Sequence, residues 1–294
     1  MNLVQEGLAL GIPAPGPDAH QRPSAARIYR MWFGMEGAGS VDQDLARKIL
    51  NAFPREPAAA KINRSHHLLI TEALASRGIS QFLDLGCGYA LPRPAGGGDL
   101  RFGQNTHDVA QQHGRSAAVV YADINHDVVA CQRSLLDSAP TASRPVAVIA
   151  DVTDTARLLA RLEADGHLTR ERPVAVLLHD VLPWIPDDAR VQDAVAYLRA
   201  WLPPGSALSI THATPDFSPT WVGRVQDVYD EEGIGFRPRD RQSISNLFGD
   251  WGDLYGGPVR MVPTARHQTR HQFSAVPDYV SAAYAGVAVK HPTS

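Results

Sequence analysis

The chain has 294 residues, of which 44% are hydrophobic and 20% charged, so it can form a buried core and is not a disordered protein. Its net charge is −3, from 28 basic and 31 acidic residues, which gives no general attraction to a nucleic acid. Two cysteines are too few for a disulfide framework, no apolar run approaches the ~20 residues of a membrane span, and the first residues lack the pattern of a secretory signal. We therefore expect a soluble, cytoplasmic protein that binds neither nucleic acid nor membrane.

The first 78 residues divide into an arm and three helices. Residues 1–22 contain prolines and glycines without periodicity, which predicts a flexible N-terminal arm. Helices are predicted over 25–33, 41–52 and 58–77. In the third, apolar residues recur at three- and four-residue spacing, and Gly78 stands where a C-terminal cap belongs.

After Gly78 short apolar strands alternate with helices. Strands are predicted over 81–85, 117–123, 146–151, 173–180 and 206–212, with helices over 106–113, 126–137, 155–164 and 187–201 between them. Runs of this kind at this spacing predict a parallel sheet with helices on both faces. Two further helices (220–231 and 241–248) and two further strands (259–265 and 279–290) complete an α/β domain with a mostly parallel, seven-stranded sheet.

The strongest local signal is a strand that runs into a glycine turn. The segment FLDLGCG places Asp84 near the end of the first strand, and Gly86, Cys87 and Gly88 follow it. Glycines let a nucleoside lie against the backbone at this end of a strand, where a Cβ would obstruct it. The turn does not match a dinucleotide fingerprint, whose third glycine would fall at Leu91, and the chain has no G-K-[ST] phosphate-binding sequence. The alternative is a tight turn that binds no ligand.

Two more acids end the next two strands. Asp123 is placed to accept hydrogen bonds from both hydroxyls of a ribose. Asp151 is placed to accept from the amino group of an adenine, with Ile124 and Val152 against the faces of the ring. Three carboxylates at neighbouring strand ends suit an adenosyl ligand with a cationic sulfonium and no phosphates, which favours S-adenosylmethionine over NAD. The alternative for each acid is a solvated strand end that caps the next helix.

The order of these motifs resembles a bacterial S-adenosylmethionine-dependent methyltransferase family, long catalogued as a domain of unknown function and typical of actinomycetes. The similar segments are PSAARIY (23–29), NR (63–64), QFLDLGCG (81–88), NTHDVAQ (105–111), VVYAD (119–123), ADV (150–152), PVAVLL (173–178) and SITHAT (209–214). The resemblance implies a Rossmann-like class I methyltransferase fold and S-adenosyl-L-methionine as the cofactor.

Three departures limit what the resemblance implies. Residues 93–103 look like an insertion, and Leu182-Pro183-Trp184 stands where the family has Leu-His. The C-terminal third matches poorly, and acceptor sites usually diverge there. The resemblance therefore indicates the cofactor and leaves the acceptor undetermined.

Several side chains are candidates for binding or catalysis. His179, which the fourth strand delivers together with Asp180, and His212, at the end of the fifth strand, are candidate general bases. The alternative for each histidine is a buried ring that hydrogen bonds to the backbone. His179 also lies where it would contact the cofactor.

The predicted helices supply further cofactor candidates. Arg27 and Tyr29 would close over the cofactor, as the N-terminal segments of similar proteins do, and Arg64 would pair with its carboxylate. The alternative for Arg27 and Tyr29 is packing at the surface, and the alternative for Arg64 is a salt bridge on the helix surface. We predict no metal site, because His267 and His271 have helical spacing without a helical pattern or a nearby acid.

We therefore predict methyl transfer to a small-molecule acceptor, such as a secondary metabolite. Two alternatives stay open: a rearrangement or elimination of the bound sulfonium, or a ligand sensor without activity. The sequence also leaves a homodimer open. We predict one methyltransferase-like domain over 23–294, consisting of a helical cap (23–78), a cofactor-binding core (79–215) and an acceptor-side region with the C-terminal strands (216–294).

Overall fold

The structure is a computed structural model that describes residues 2–16, 18–35, 39–91, 103–113, 116–137, 145–268 and 275–291. Nearly all of the insertion predicted at 93–103 lies outside these residues, as does His271. The side chain of His267 is also outside the description. No helix in the described ranges is both long and apolar enough to cross a bilayer.

Helices dominate the first part of the chain, and strands and helices alternate after it. The helices before the sheet are α1 (Leu3–Ala9), α2 (Ala25–Met31), α3 (Ser40–Ala52) and α4 (Glu56–Ser76). The alternating part is β1 (Gln81–Leu85), α5 (Thr106–Gln111), β2 (Ala118–Asp123), α6 (His126–Asp137), β3 (Val146–Ile149), α7 (Thr155–Ala164), β4 (Ala175–His179), α8 (Asp188–Trp201) and β5 (Ala207–Ala213). The remainder is α9 (Pro219–Glu231), α10 (Arg241–Asn246), β6 (Gly252–Asp253), β7 (Val262–Pro263), α11 (Asp278–Ser281) and β8 (Ala283–Val289).

The strands form one mostly parallel sheet in the order β3-β2-β1-β4-β5-β8-β6, and β7 also pairs with β8. Strands β1 to β5 are parallel, whereas β8 is antiparallel to β5, β6 and β7. The predicted α/β class and mostly parallel sheet are confirmed. The chain moves outward in one direction from β1 and in the other from β4, so a crevice is expected at the carboxyl ends of these two strands.

Side chains alternate between two apolar layers along the central strands. Leu83 and Leu85 enter the layer on one face of the sheet, and Phe82 enters the layer on the other. Every residue of β1 is buried. A third apolar cluster lies between α2, α3 and α9 and holds these helices together as a cap.

The C-terminal strands differ from the sequence-based prediction. Only Val262–Pro263 of the predicted strand 259–265 is extended, and a 3-10 helix follows at Thr264–Gln268. The predicted strand 279–290 begins as α11, and the strand proper starts after Ala282, whose φ of 44° ends the helix. The two-residue strand β6 is too short to produce a sequence pattern.

The prediction of a flexible arm without regular structure was wrong for its first part, because residues 3–9 form α1 and pack on α6 and β3. Asn2 caps the helix by accepting a hydrogen bond from the backbone N–H of Gln5 at 2.9 Å. Glu6, only 4% exposed, accepts from Arg133 at 2.7 Å and from Arg161 at 3.0 Å. Burial alone would raise the pKa of Glu6, but the two arginines outweigh it and lower that pKa.

We expect Glu6→Ala to destabilise the protein by on the order of 2–3 kcal/mol, because it leaves Arg133 without a carboxylate partner and Arg161 with Asp165 alone. Urea unfolding measures the change. Glu163→Ala, at an exposed position of α7, is the matched control and should cost less than about 0.5 kcal/mol. Equal stabilities for the two variants would show that the Glu6 ion pairs do not hold α1 in place.

Candidate active site

A cavity of about 410 Å³ lies at the carboxyl ends of β1, β2, β3 and β4, under α2 and α4. It brings together all the predicted cofactor residues except Arg27. These are Tyr29, Arg64, Asp84, Gly86, Cys87, Gly88, Asp123, Ile124, Asp151, Val152 and His179. Their individual roles stay predictions, but their common location follows from the strand order.

The glycine turn needs glycine for two reasons. Gly86 and Gly88 have φ angles of +66° and +65°, which side chains rarely permit. A Cβ on Gly86 would also overlap the side chain of Val181. The turn is fixed to β2, because the N–H of Gly86 donates to the carbonyl of Ala122 at 2.8 Å.

Asp123 is oriented by the turn that it faces. Its Oδ2 accepts from the N–H of Gly88 at 3.0 Å, and its Oδ1 accepts from the N–H of Asn125 at 2.9 Å. Burial raises its pKa despite these bonds. A carboxylate has about four acceptor positions, so Asp123 keeps acceptor capacity for a ribose.

The predicted adenine contacts lie at the end of the cavity formed by β2 and β3. Ile124 is 54% exposed and lines the cavity, so its apolar surface is available to an aromatic ring. The Oδ1 of Asp151 accepts from the hydroxyl of Thr153 at 2.7 Å, and its Oδ2 lies 3.5 Å from Arg190. Asp151 therefore keeps acceptor capacity on Oδ2.

Two arginines carry unused donors into the cavity. The guanidinium of Arg64 donates to the carbonyl of Gln104, but its buried Nε has no acceptor among the described residues. The Nε of Arg30 is also buried without a described acceptor, and its guanidinium lies 4.8 Å from the ring centre of Tyr89. These donors fit the carboxylate of an amino-acid-bearing ligand. The sequence prediction missed Arg30, one helical turn after Arg27.

Arg27 does not line the cavity, contrary to the prediction. Its Nε donates to Oδ2 of Asp42 at 2.6 Å, and its Nη2 donates to Oδ1 at 3.1 Å. The carboxylate of Asp42 also accepts from the N–H of Ser24 at 2.9 Å. Arg27 therefore fixes the start of α2 on α3 and supports the cap.

A chain of polar side chains runs beneath the cavity from Asp84 to Ser209. The hydroxyl of Thr106 donates to Asp84 at 2.6 Å, so its oxygen is free to accept from Nε2 of His67 at 2.9 Å. Burial lowers the pKa of His67 well below its usual value, which keeps this ring neutral. The Nδ1 of His67 must then accept from the Nδ1–H of His179, 2.9 Å away.

The direction of these hydrogen bonds determines which ring nitrogen of His179 donates and which accepts. With its proton on Nδ1, a neutral His179 accepts from the hydroxyl of Ser209 through Nε2, at 2.8 Å. Both ring nitrogens are therefore engaged by protein groups. With both nitrogens hydrogen-bonded in this arrangement, His179 is poorly placed as a general base, a role that stays a prediction.

His212 is also not placed as a base. It is fully buried and lines neither this cavity nor the smaller one described below. Its Nδ1–H donates to the carbonyl of Ala213 at 2.8 Å, and its Nε2 accepts from Arg239 at 3.1 Å. Burial lowers the pKa of His212 to about 3, so the ring is neutral. This is the buried, hydrogen-bonded alternative of the sequence analysis.

Comparison with known proteins gives the family. A family model described as S-adenosyl methyltransferase matches residues 18–291. The chain belongs to this family. It is therefore an S-adenosylmethionine-dependent methyltransferase, and the predicted family, activity and cofactor are confirmed.

Two solved structures cover nearly the whole methyltransferase. A DUF574 family protein from Streptomyces avermitilis is 27% identical with a TM-score of 0.81, over 92% of this chain and 98% of its own. A putative methyltransferase from Thermobifida fusca is 29% identical with a TM-score of 0.77, over 92% and 96%. No protein with a curated description matches the methyltransferase.

Asp180 lies between the cofactor cavity and a second, smaller cavity. It follows β4 with a φ of 60°, a strained conformation that Asp tolerates better than most residues. The second cavity has a volume of about 60 Å³. Both cavities are lined by Tyr29, Asn63, Asp180 and Trp184.

Glu56, the first residue of α4, lines the small cavity together with Asp180. Burial raises the pKa of Glu56 to about 7. Burial, and then the charge of Glu56, raise the pKa of Asp180 to about 8. The sequence analysis named Asp180 without assigning it a role and did not single out Glu56, because an acid in the first turn of a helix is common for helix stability alone.

Within the described residues, no group of three or more His, Cys, Asp or Glu side chains is arranged to hold a metal ion. The methyl transfer that the family performs needs no metal when the acceptor and the methyl group are positioned together.

We expect Glu56→Gln and Asp180→Asn to raise the melting temperature by on the order of a few degrees at pH 8.5 and by less at pH 5. The folded pKa of each acid is raised, so folding disfavours the ionised form, and this cost grows as pH rises from the unfolded pKa through the folded pKa.

Thermal unfolding at the two pH values measures the difference. Glu163→Gln at the exposed position of α7 is the control and should show the same small effect at both. A gain from Glu56→Gln that does not depend on pH would contradict the burial cost.

Proposed function

We propose that the methyltransferase acts on a small-molecule acceptor of secondary metabolism, which reaches the cofactor cavity from the side of Asp180. The observation that carries this proposal is the shared wall of the two cavities, which places the small one directly beside the cofactor site. The small cavity lies between the cap helices and the sheet edge, among side chains of α2, α4, α9 and the ends of β4 and β5. The small size of this space favours a small acceptor over a polymer.

S-adenosylmethionine, when bound, supplies a methyl carbon made electrophilic by the adjacent sulfonium. Methyl transfer would require the protein to hold the acceptor atom in line with that carbon, at roughly 3–3.5 Å, and to keep water out. We assign Asp123 and Asp151 to the adenosyl part and Arg30 and Arg64 to the carboxylate, because all four line the cavity. Trp184, whose indole N–H donates to the carbonyl of Asp180 at 2.8 Å, keeps the residue after β4 in position.

Asp180 is the group best placed to accept a proton from the acceptor. It lines both cavities, and its carboxyl has no hydrogen bond to any other described side chain. Burial raises its pKa to about 8, close to the working pH, where a general base is most effective. This assignment replaces the predicted roles of His179 and His212.

Methyl-labelled S-adenosylmethionine tests the proposal against its alternatives. The purified protein is incubated with the small-molecule fraction and, separately, with the macromolecular fraction of a bacterial extract. We expect the label in the small-molecule fraction. Label in macromolecules would contradict the acceptor class. Consumption of the cofactor without labelled product would favour a rearrangement or elimination, and binding without consumption would favour a sensor.

Replacing Asp123 with Ala should weaken S-adenosylmethionine binding by roughly 10- to 150-fold, or about 1.5–3 kcal/mol, because a charged acceptor of two hydroxyls is removed. Titration calorimetry measures the affinity. Asp127→Ala, at the start of α6 and outside the cavity, is the matched control and should bind as the wild type does. A folded Asp123→Ala protein with unchanged affinity would rule out the ribose contact.

Location and oligomeric state are two further proposals. We propose a cytoplasmic location. A homodimer also stays a proposal, which sedimentation of the purified protein would test.

A further inference from the structure

The small cavity has the chemistry of a site for a positive charge. Two carboxyl groups line it, Glu56 and Asp180, and none of the described residues that line it is basic. Neither carboxyl has a hydrogen bond within the described part of the chain. Both residues are partly buried. Carboxyl groups withdrawn from water without a partner are costly, and a cation entering the cavity would relieve that cost.

Aromatic rings line the same cavity as the two acids. The ring centres of Trp184 and Tyr229 are 5.0 Å apart at 90°, and those of Trp184 and Phe236 are 4.9 Å apart. Aromatic faces attract organic cations, most strongly where water is excluded. A cavity lined by both rings and acids therefore suits an ammonium group.

Tyr229 adds an independent observation. This residue lines the cavity, its side chain is only 4% exposed, and its hydroxyl has no hydrogen-bond partner in the described structure. Buried hydroxyl groups are rarely left without a partner. The oxygen of Tyr229 can accept a hydrogen bond from a donor-rich group placed between it and the two acids.

We propose that the acceptor is an amine, bound as an ammonium ion with its nitrogen in the small cavity between Asp180, Glu56 and Tyr229. The proposal rests on the methyl transfer proposed above and names the acceptor class for the same site. A cavity measured in this way needs about 10–15 Å³ to hold one water molecule. The cavity of about 60 Å³ therefore has room for the amino group and the carbons next to it, and Trp184, which lines both cavities, lies where this space meets the larger one.

The reaction balances with the groups present. The ammonium gives one proton to the carboxylate of Asp180 and becomes a neutral amine with a lone pair. That lone pair forms a bond to the methyl carbon, the carbon–sulfur bond breaks, and its electrons stay on sulfur, which yields S-adenosylhomocysteine and a methylated ammonium. Release of the product lets Asp180 return its proton to water.

The same groups exclude other acceptor classes. A carboxylate acceptor would be repelled by the ionised forms of Glu56 and Asp180. A neutral alcohol would leave at least one of them without a compensating charge. Specificity for amines therefore comes from the unfavourable binding of carboxylates and alcohols as well as from the attraction between an ammonium group and the two carboxylates.

Four titratable groups face this cavity: Glu56 of α4, Asp180 after β4, Tyr29 of α2 and Tyr229 of α9. Burial raises the pKa of each, so the two tyrosines stay neutral near pH 7.5. The carboxyl groups are partly protonated at that pH. An arriving ammonium ion should ionise them, so its binding should release protons and become tighter as pH rises from 6 to 8.

Calorimetric titration of the protein saturated with S-adenosylhomocysteine tests the proposal, with benzylamine as the probe and benzyl alcohol as its neutral isostere. We expect benzylamine to bind at least tenfold more tightly, and measurements in two buffers of different ionisation enthalpy should show proton release. Glu56→Gln, whose residue lies outside the cofactor cavity, should reduce this preference about tenfold or more. Glu163→Gln should leave it intact.

Benzylamine that binds no better than benzyl alcohol to the wild-type protein would overturn the proposal, and so would a preference that survives in Glu56→Gln. These results are distinct from a failure of the proposed function, because saturation with S-adenosylhomocysteine is established first in the same sample. Label transfer to alcohols or acids in the extract, with none to amines, would leave methyl transfer intact and reject the amine.

Discussion

Desolvation of carboxyl groups at the carboxyl edge of the sheet is the constraint on which the site depends. Asp84, Asp123 and Asp180 follow or end three strands of the sheet, and burial raises the pKa of each. They differ in what compensates that burial. The carboxylate of Asp84 accepts from a hydroxyl and that of Asp123 accepts from backbone N–H groups, whereas the carboxyl of Asp180 accepts no hydrogen bond from a described residue. This difference supports the proposal that the first two serve structure and binding and that Asp180 serves the chemistry.

The helical cap converts this edge into an enclosed site. The ion pair of Arg27 with Asp42 fixes α2, and the hydroxyl of Tyr29 donates to the carbonyl of Ala60 on α4 at 3.1 Å. Asn63 then accepts from Thr211 of β5 at 2.6 Å, which joins the cap to the sheet. Water exclusion, which methyl transfer requires, therefore depends on polar contacts between distant parts of the chain.

The sequence predicted what depends on local patterns. Strand β1, helices α6 and α7, and the acids at strand ends follow from periodicity and from the order of parallel strands. Prediction from the sequence failed where the partner of a side chain is remote along the chain. The local sequence around Arg27 is compatible with a residue that closes over the cofactor, and it does not reveal the ion pair of Arg27 with Asp42. His179 and His212 likewise appear free until His67, Ser209 and Arg239 occupy their nitrogens. The small cavity could not be predicted, because α4, α9 and two strand ends form it jointly.

The most direct test of the account is a crystal structure of the methyltransferase with S-adenosylhomocysteine. We expect the ribose hydroxyls within hydrogen-bond distance of Asp123, the carboxylate of the ligand near Arg64, and the sulfur facing the small cavity beside Asp180. A ligand whose sulfur points away from Asp180, or whose ribose lies apart from Asp123, would contradict the account.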